Sequence, residues 1–171
     1  MRGLILAISI LFLSCRNSSD KSFVGNWKIA KINIRKTSNP WETIYDVKDP
    51  ETSKEKMLKN FSEKYESKDS VELTALVKET INKIKLSTLE LRKDSSFNMP
   101  HSQYIYLRQK QGGFPVDPLN GRWNFQHGKL QLTIEDHLLE ITVLELTHNR
   151  LIIGETRIDG IFSYSTELSR E

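Results

Sequence analysis

From Leu86 onward the chain repeats one unit: a run of alternating apolar and polar residues, then a short turn. "STLELRK" turns at "DSS" into "SFNM". After the longer "QKQGGFPVDPLN" come "GRWNF", turn "QHG", "KLQLTI", turn "EDH", "LLEITVLEL", turn "THN", "RLIIGET", turn "RIDG" and "IFSYSTELS". Alternation at period two puts every second side chain on one face, the pattern of a half-buried strand. Short strands joined by tight turns pair with their sequence neighbours, and a meander of this kind loses its exposed edges by closing on itself. An earlier β-branched run, "FVGNWKIAKINIRKT", supplies the first strand and brings the total to eight. The expectation is a mainly β chain: an eight-stranded antiparallel up-and-down barrel with a two-helix insertion between its first and second strands.

The insertion, about residues 50–85, breaks the pattern. Met57, Leu58, Phe61 and Tyr65 recur at helical spacing, as do Leu73, Leu76, Val77, Ile81 and Ile84. Two amphipathic helices are expected over 54–66 and 70–85, with Asp69 or Ser70 capping the second. Residues 48–85 hold nine Lys and eight Asp plus Glu, a balance that fits solvated helix faces. Just before them, Trp41, Thr43, Tyr45 and Val47 alternate in "SNPWETIYDVKDP", which suits a short edge strand or an ordered loop. In an up-and-down barrel the connections alternate between the two ends. Every long connection then falls at one end, the mouth, and the tight turns gather at the other, beside Gly25 and Trp27. The outline is a cup with a closed floor.

The opening "MRGLILAISILFLSC" is of another kind. Arg2 precedes the apolar run Leu4–Leu13, which as a helix reaches about 15 Å, roughly half of a ~30 Å hydrocarbon core. That is short for a membrane span and right for the apolar region of a signal peptide. Ser14 stands before Cys15, the single cysteine in the chain. "FLSC" resembles a bacterial lipobox of the looser Bacteroidota type, with Phe12 where Leu is usual. The resemblance implies cleavage before Cys15 and its acylation. Residues 1–14 are then a signal peptide, 15–22 a lipidated cysteine and tether, and 23–171 the barrel. Several acyl chains hold a protein on a bilayer where one alone binds reversibly. The alternative is an ordinary secretory signal with an incidental cysteine. Arg16 follows Cys15 where inner-membrane retention favours Asp, and no acidic run follows. The expected location is the bacterial cell envelope, at the outer membrane facing the periplasm rather than at the cell surface.

Composition excludes some partners. With 37% hydrophobic and 27% charged residues, the chain can supply one ordinary core. Its net charge is +3, and removing Arg2 with residues 1–14 leaves 24 basic against 22 acidic groups, or +2. No basic stripe points to nucleic acid.

"VGNWKIAKI", "TLELRKDSSFNM", "GRWNFQHGKLQLTI" and "ITVLELTHNRLII", in that order, resemble the lipocalin-like lipoprotein domains common in Bacteroidota. The likeness spans most of 23–168, apart from the helical insertion. It implies a calycin-type barrel and a small apolar or amphipathic ligand. It also implies that Gly25 and Trp27 close the barrel floor, with an arginine from near the last strand, Arg170 or Arg150, stacked on Trp27. In fatty-acid-binding proteins a helix pair at the same place in chain order lids the cavity.

The candidate cavity lining is the apolar set of the alternating runs: Leu89, Leu91, Phe97, Met99, Trp123, Phe125, Leu130, Leu132, Leu144, Ile153, Phe162 and Tyr164. The competing reading is a barrel filled by these same side chains. His127 and His148 fall in floor turns, His137 in a mouth turn and His101 after Pro100, so no metal site is expected. At the mouth, Glu135, Asp136 and His137 approach Arg157, Asp159, Arg108 and Lys110, a set that could do acid–base work or bind an acidic head group, and that polar turns also present by default. With no Gly-x-Ser-x-Gly, no P-loop and no free thiol once Cys15 is acylated, the chain is expected to be no enzyme and to need no cofactor. The leading reading is a membrane-anchored binder of a small apolar or amphipathic ligand. The alternative is a filled barrel that acts as an envelope protein-interaction module or inhibitor, and an enzymatic reading comes third because it needs the mouth charges to converge within hydrogen-bond reach.

Overall fold

A computed structural model of the chain describes residues 22–36, 39–65, 68–101, 118–158 and 162–171. Cys15, the loop carrying Arg108 and Lys110, and Asp159 lie outside these residues, and Arg157 and Phe162 are described by backbone alone. The elements run β1 (Gly25–Lys36), β2 (Glu42–Asp46), α1 (Pro50–Lys64), α2 (Ser70–Leu86), β3 (Thr88–Leu91), β4 (Ser96–Met99), β5 (Leu119–Gln126), β6 (Lys129–Ile134), β7 (His137–Leu146), β8 (Arg150–Ile158) and β9 (Phe162–Arg170).

From β3 to β9 each strand pairs antiparallel with the next, and β9 returns to β1. The closing ladder runs from Trp27 opposite Arg170, at the floor, to Lys36 opposite Phe162, at the mouth. Eight strands, β1 and β3–β9, thus form the closed barrel the alternation predicts. The turns obey local chemistry. His127 and Gly128 both take positive φ, 53° and 74°, as a two-residue hairpin of right-handed twist requires.

The insertion departs from expectation in one respect: it does not follow the first strand directly. The alternating segment before it is the edge strand β2, which pairs with the mouth half of β1, Ile34 opposite Glu42 and Lys31 opposite Asp46. The floor half of the same β1 edge pairs with β3, Lys28 opposite Thr88 and Gly25 opposite Leu91. The helical hairpin therefore leaves the wall beside Lys31 and rejoins it beside Lys28, at mid-height and not at the rim.

Among the described residues, the outer edge of β2 meets no strand. Helix α1 covers it instead. The Asp46 N–H donates to Ser53 Oγ at 2.8 Å, and Lys56 Nζ donates to the Thr43 carbonyl at 2.8 Å. Covering an edge in this way removes the template for unwanted pairing. Asp49 caps α1 ahead of Pro50, and Asp69, not Ser70, caps α2 by accepting from the Val71 and Glu72 amides. Met57, Val77 and Ile84 of the helices join one buried cluster with the barrel side chains. Each such burial contributes about 1.5–3 kcal/mol. Phe61 packs against that cluster, with its ring 5.9 Å from the edge-on ring of Tyr65.

Candidate functional site

The floor is built from aromatic rings with every indole N–H paired. Trp27 is fully buried, and its Nε1 donates to the Phe23 carbonyl at 2.8 Å. The Arg170 guanidinium lies 4.6 Å over the Trp27 ring and also donates to the Ser22 carbonyl. This settles the choice of arginine: Arg150 instead bridges Glu145 and Glu167, at 2.9 and 3.0 Å. Gly25 leaves room for the stack, since a Cβ there would stand 3.2 Å from Arg170 Nε. Phe23 packs 4.5 Å from the Phe125 ring and 6.2 Å from the Trp123 ring, and Trp123 Nε1 donates to the Arg92 carbonyl at 3.0 Å. Phe23 is missing from the sequence-derived set. Its signal was an apolar side chain opening the first-strand run, two residues before β1 begins at Gly25.

Above the floor, Leu89, Leu91, Phe97, Met99, Trp123, Leu130, Leu132 and Ile153 are at most 5% exposed. Side chains so inaccessible to water pack against one another, so this part of the barrel is filled. Phe125 and Tyr164 are half-buried. Leu144 corrects the expectation: it is 51% exposed and points outward. Val143 pairs with Ile153 but Glu145 pairs with Ile152, so Leu144 is the extra residue of a bulge. A bulge shifts the alternation by one. The inward residues of β7 are Leu139, Ile141 and Val143, then Leu146 past the bulge.

The interior changes character toward the mouth. Ile32 faces Tyr45 on one side and Thr166 on the other, and Thr166 faces Ile153. One rung nearer the mouth, Ile34 faces Tyr164, and both keep partial exposure. Tyr45 is 1% exposed, and its buried hydroxyl has no hydrogen-bond partner. An unpaired buried hydroxyl costs about 1–3 kcal/mol. Burial, with a smaller contribution from the Asp46 charge, pushes the Tyr45 phenol above its usual range, and burial does the same to Tyr164. Both phenols stay protonated near neutral pH and can donate. Thr43, Asn33 and Ser165, which hydrogen-bond in a row, lie on the opposite face of the same strands.

His127 and His148 sit in separate exposed turns and His137 is the exposed first residue of β7, and among the described residues no three His, Cys, Asp or Glu side chains gather as a metal site. No described helix is long and apolar enough to cross a membrane.

A closed eight-stranded antiparallel barrel with a Trp–Arg stack under its floor is the arrangement of a lipocalin-like fold. No family model, curated protein or solved structure matches the chain, so the term describes architecture and not membership.

Proposed function

We propose that this is a lipid-anchored, lipocalin-like protein of the bacterial envelope that holds a small apolar or amphipathic molecule in the mouth half of its barrel. The anchor rests on "FLSC" and Cys15, and Arg16 favours the periplasmic face of the outer membrane. The observation that carries the binding reading is the Tyr45 hydroxyl, a polar atom held among apolar side chains with nothing to satisfy it. The filled floor confines the ligand to the region of Ile34, Tyr45 and Tyr164. No catalytic role is assigned to the mouth charges.

Two experiments test this. Cys15→Ala should leave the barrel folded but release it from the membrane fraction or leave the precursor uncut. Normal processing and membrane retention would remove the anchor. Native mass spectrometry of protein purified from envelope should show one bound lipid-like mass. The second reading, a protein-interaction module, draws support from the filled floor and from Val71 and Leu86 on α2, which are 75% and 64% exposed. Absence of any bound mass, together with loss of a co-purifying protein on Val71→Ser and Leu86→Ser, would favour it.

A further inference from the structure

We infer that Tyr45 is the polar anchor of that ligand, and that the ligand is a neutral amphiphile: an apolar chain bearing one uncharged hydrogen-bond acceptor, such as an alcohol or an ester. The inference rests on the binding reading above and adds to it a residue and a chemical class.

Three observations converge on it. First, Tyr45 lies on the inward face of β2 opposite Ile32, in one buried cluster with Met57 of α1 and Met99 of β4. Its hydroxyl is the one described tyrosine oxygen that is both buried and unpaired. A group in that state gains from any acceptor brought to it. Second, its inward neighbours on the ladder are Ile32, Thr166 and Ile153, and on the next rung Ile34 and Tyr164. None of these carries a charge. Among the described residues of this ladder a buried carboxylate or phosphate would find no cationic partner, and an unpaired buried charge is far costlier than a neutral head group. Third, the hydroxyl has no water-sized space beside it, so the head group enters by displacing a side chain. Met57 of α1 and Met99 of β4 belong to the same buried cluster as Tyr45. Methionine is unbranched, changes shape at little cost and suits a site that must open for a guest.

The test uses the processed, lipid-anchored protein in nanodiscs and a hexadecanol carrying a photoactivatable diazirine. Unlabelled 1-hexadecanol, methyl palmitate, palmitate and hexadecane compete. Labelling should map to strands β2 and β4, with hexadecanol and the ester competing best. Tyr45→Phe should weaken hexadecanol about three- to tenfold, as expected for one hydrogen bond, and leave hexadecane unchanged. The free Tyr45→Phe protein should melt at the same temperature as the parent or higher, because it sheds an unpaired hydroxyl. Equal hexadecanol binding by Tyr45→Phe would overturn the anchor while leaving the pocket standing. Palmitate as the best competitor would overturn the neutral class. A lowered melting temperature for Tyr45→Phe would show the hydroxyl already paired and overturn the anchor. Absence of labelling inside the barrel by every probe would overturn the pocket and the anchor together.

Discussion

The contact between Trp27 and Arg170 is the structural claim most open to a quantitative test. Trp27→Phe removes the 2.8 Å bond to the Phe23 carbonyl and trims a ring from a packed floor. Leaving that carbonyl unpaired costs about 1–3 kcal/mol, and the smaller ring adds about 1 kcal/mol, for roughly 2–4 kcal/mol together. Arg170→Met keeps the alkyl stem but removes the cation over the ring and the bond to the Ser22 carbonyl. A partly desolvated cation–π contact contributes about 0.5–2 kcal/mol and the charge-assisted bond about 1.5 kcal/mol, so this variant should lose roughly 2–3.5 kcal/mol. Both losses fit inside a typical domain stability of about 5–15 kcal/mol, so both variants should fold. The two hydrogen bonds go to different carbonyls, and only the ring–guanidinium contact is shared. Phenylalanine still offers the guanidinium a weaker ring face, so the double variant should lose less than the sum of the singles by only part of that contact, about 0.5–1 kcal/mol. Urea unfolding of the four proteins, with unchanged slopes, measures this difference. Additivity within ~0.3 kcal/mol would refute the claim that the stack joins the first and last strands.

Three further outcomes follow from the same geometry. A Cβ at Gly121 would stand 2.0 Å from the Thr133 carbonyl oxygen and 2.9 Å from the Phe97 ring. Gly121→Ala should therefore force β5 from β6 and cost roughly 3 kcal/mol or more; a urea-derived loss under about 1 kcal/mol would contradict that close approach. Ser53→Ala orphans the Asp46 N–H at the covered edge of β2, so it should cost about 1–2 kcal/mol and speed amide exchange at Asp46, with the floor amides unchanged. Stability should also fall at both extremes of pH. Asp46 is held below its ordinary 3.8 by the Lys48 N–H and then by Lys31, and Glu140 below 4.5 by Lys129 and then Gln131. A folded-state pKa below the unfolded one stabilises above the unfolded value and is lost as pH falls from about 4. Tyr45 is shifted the other way, so its contribution is whole below about 10 and is lost as pH rises past that point. Tyr45→Phe should flatten the alkaline arm of a Tm-versus-pH curve and leave the acid arm unchanged.

Much of the barrel was legible because half-buried strands write their burial into every second residue. Leu89, Leu91, Phe97, Leu130 and Leu132 point inward as the alternation requires. Leu144 does not, because one extra residue at a bulge shifts the phase while the apolar count runs on unbroken. The choice between Arg150 and Arg170 was closed to sequence for a different reason. Both sit near the same floor rung, with Arg150 opposite Ser169, and only the three-dimensional direction of each side chain separates them. Tyr45 was the hardest to read. A five-residue segment can pair on an edge or stay a loop, and nothing local records that β1 would be left with a bare edge above Lys28. Its hydroxyl is conspicuous only once the surrounding apolar side chains are in place.

That bare edge explains why the helices stand where they do. β1 is 12 residues long, whereas β3 covers only four of its rungs, Gly25–Lys28. The remaining mouth-side edge needs a partner. β2 supplies it by folding back against Lys31–Ile34, which leaves β2 as the new edge. A further strand would pass the exposed edge along once more, whereas a helix ends the series because it has no ladder to extend. Ser53 and Lys56 of α1 bond to the outward backbone groups of β2, and Met57 continues the apolar surface into the barrel cluster. The same arrangement fixes Tyr45. With the Asp46 carboxylate turned outward to Lys31, the side chain beside it must point inward, among residues that offer its hydroxyl nothing. The unpaired phenol is thus a consequence of how the wall is completed, and phenylalanine would complete it equally well.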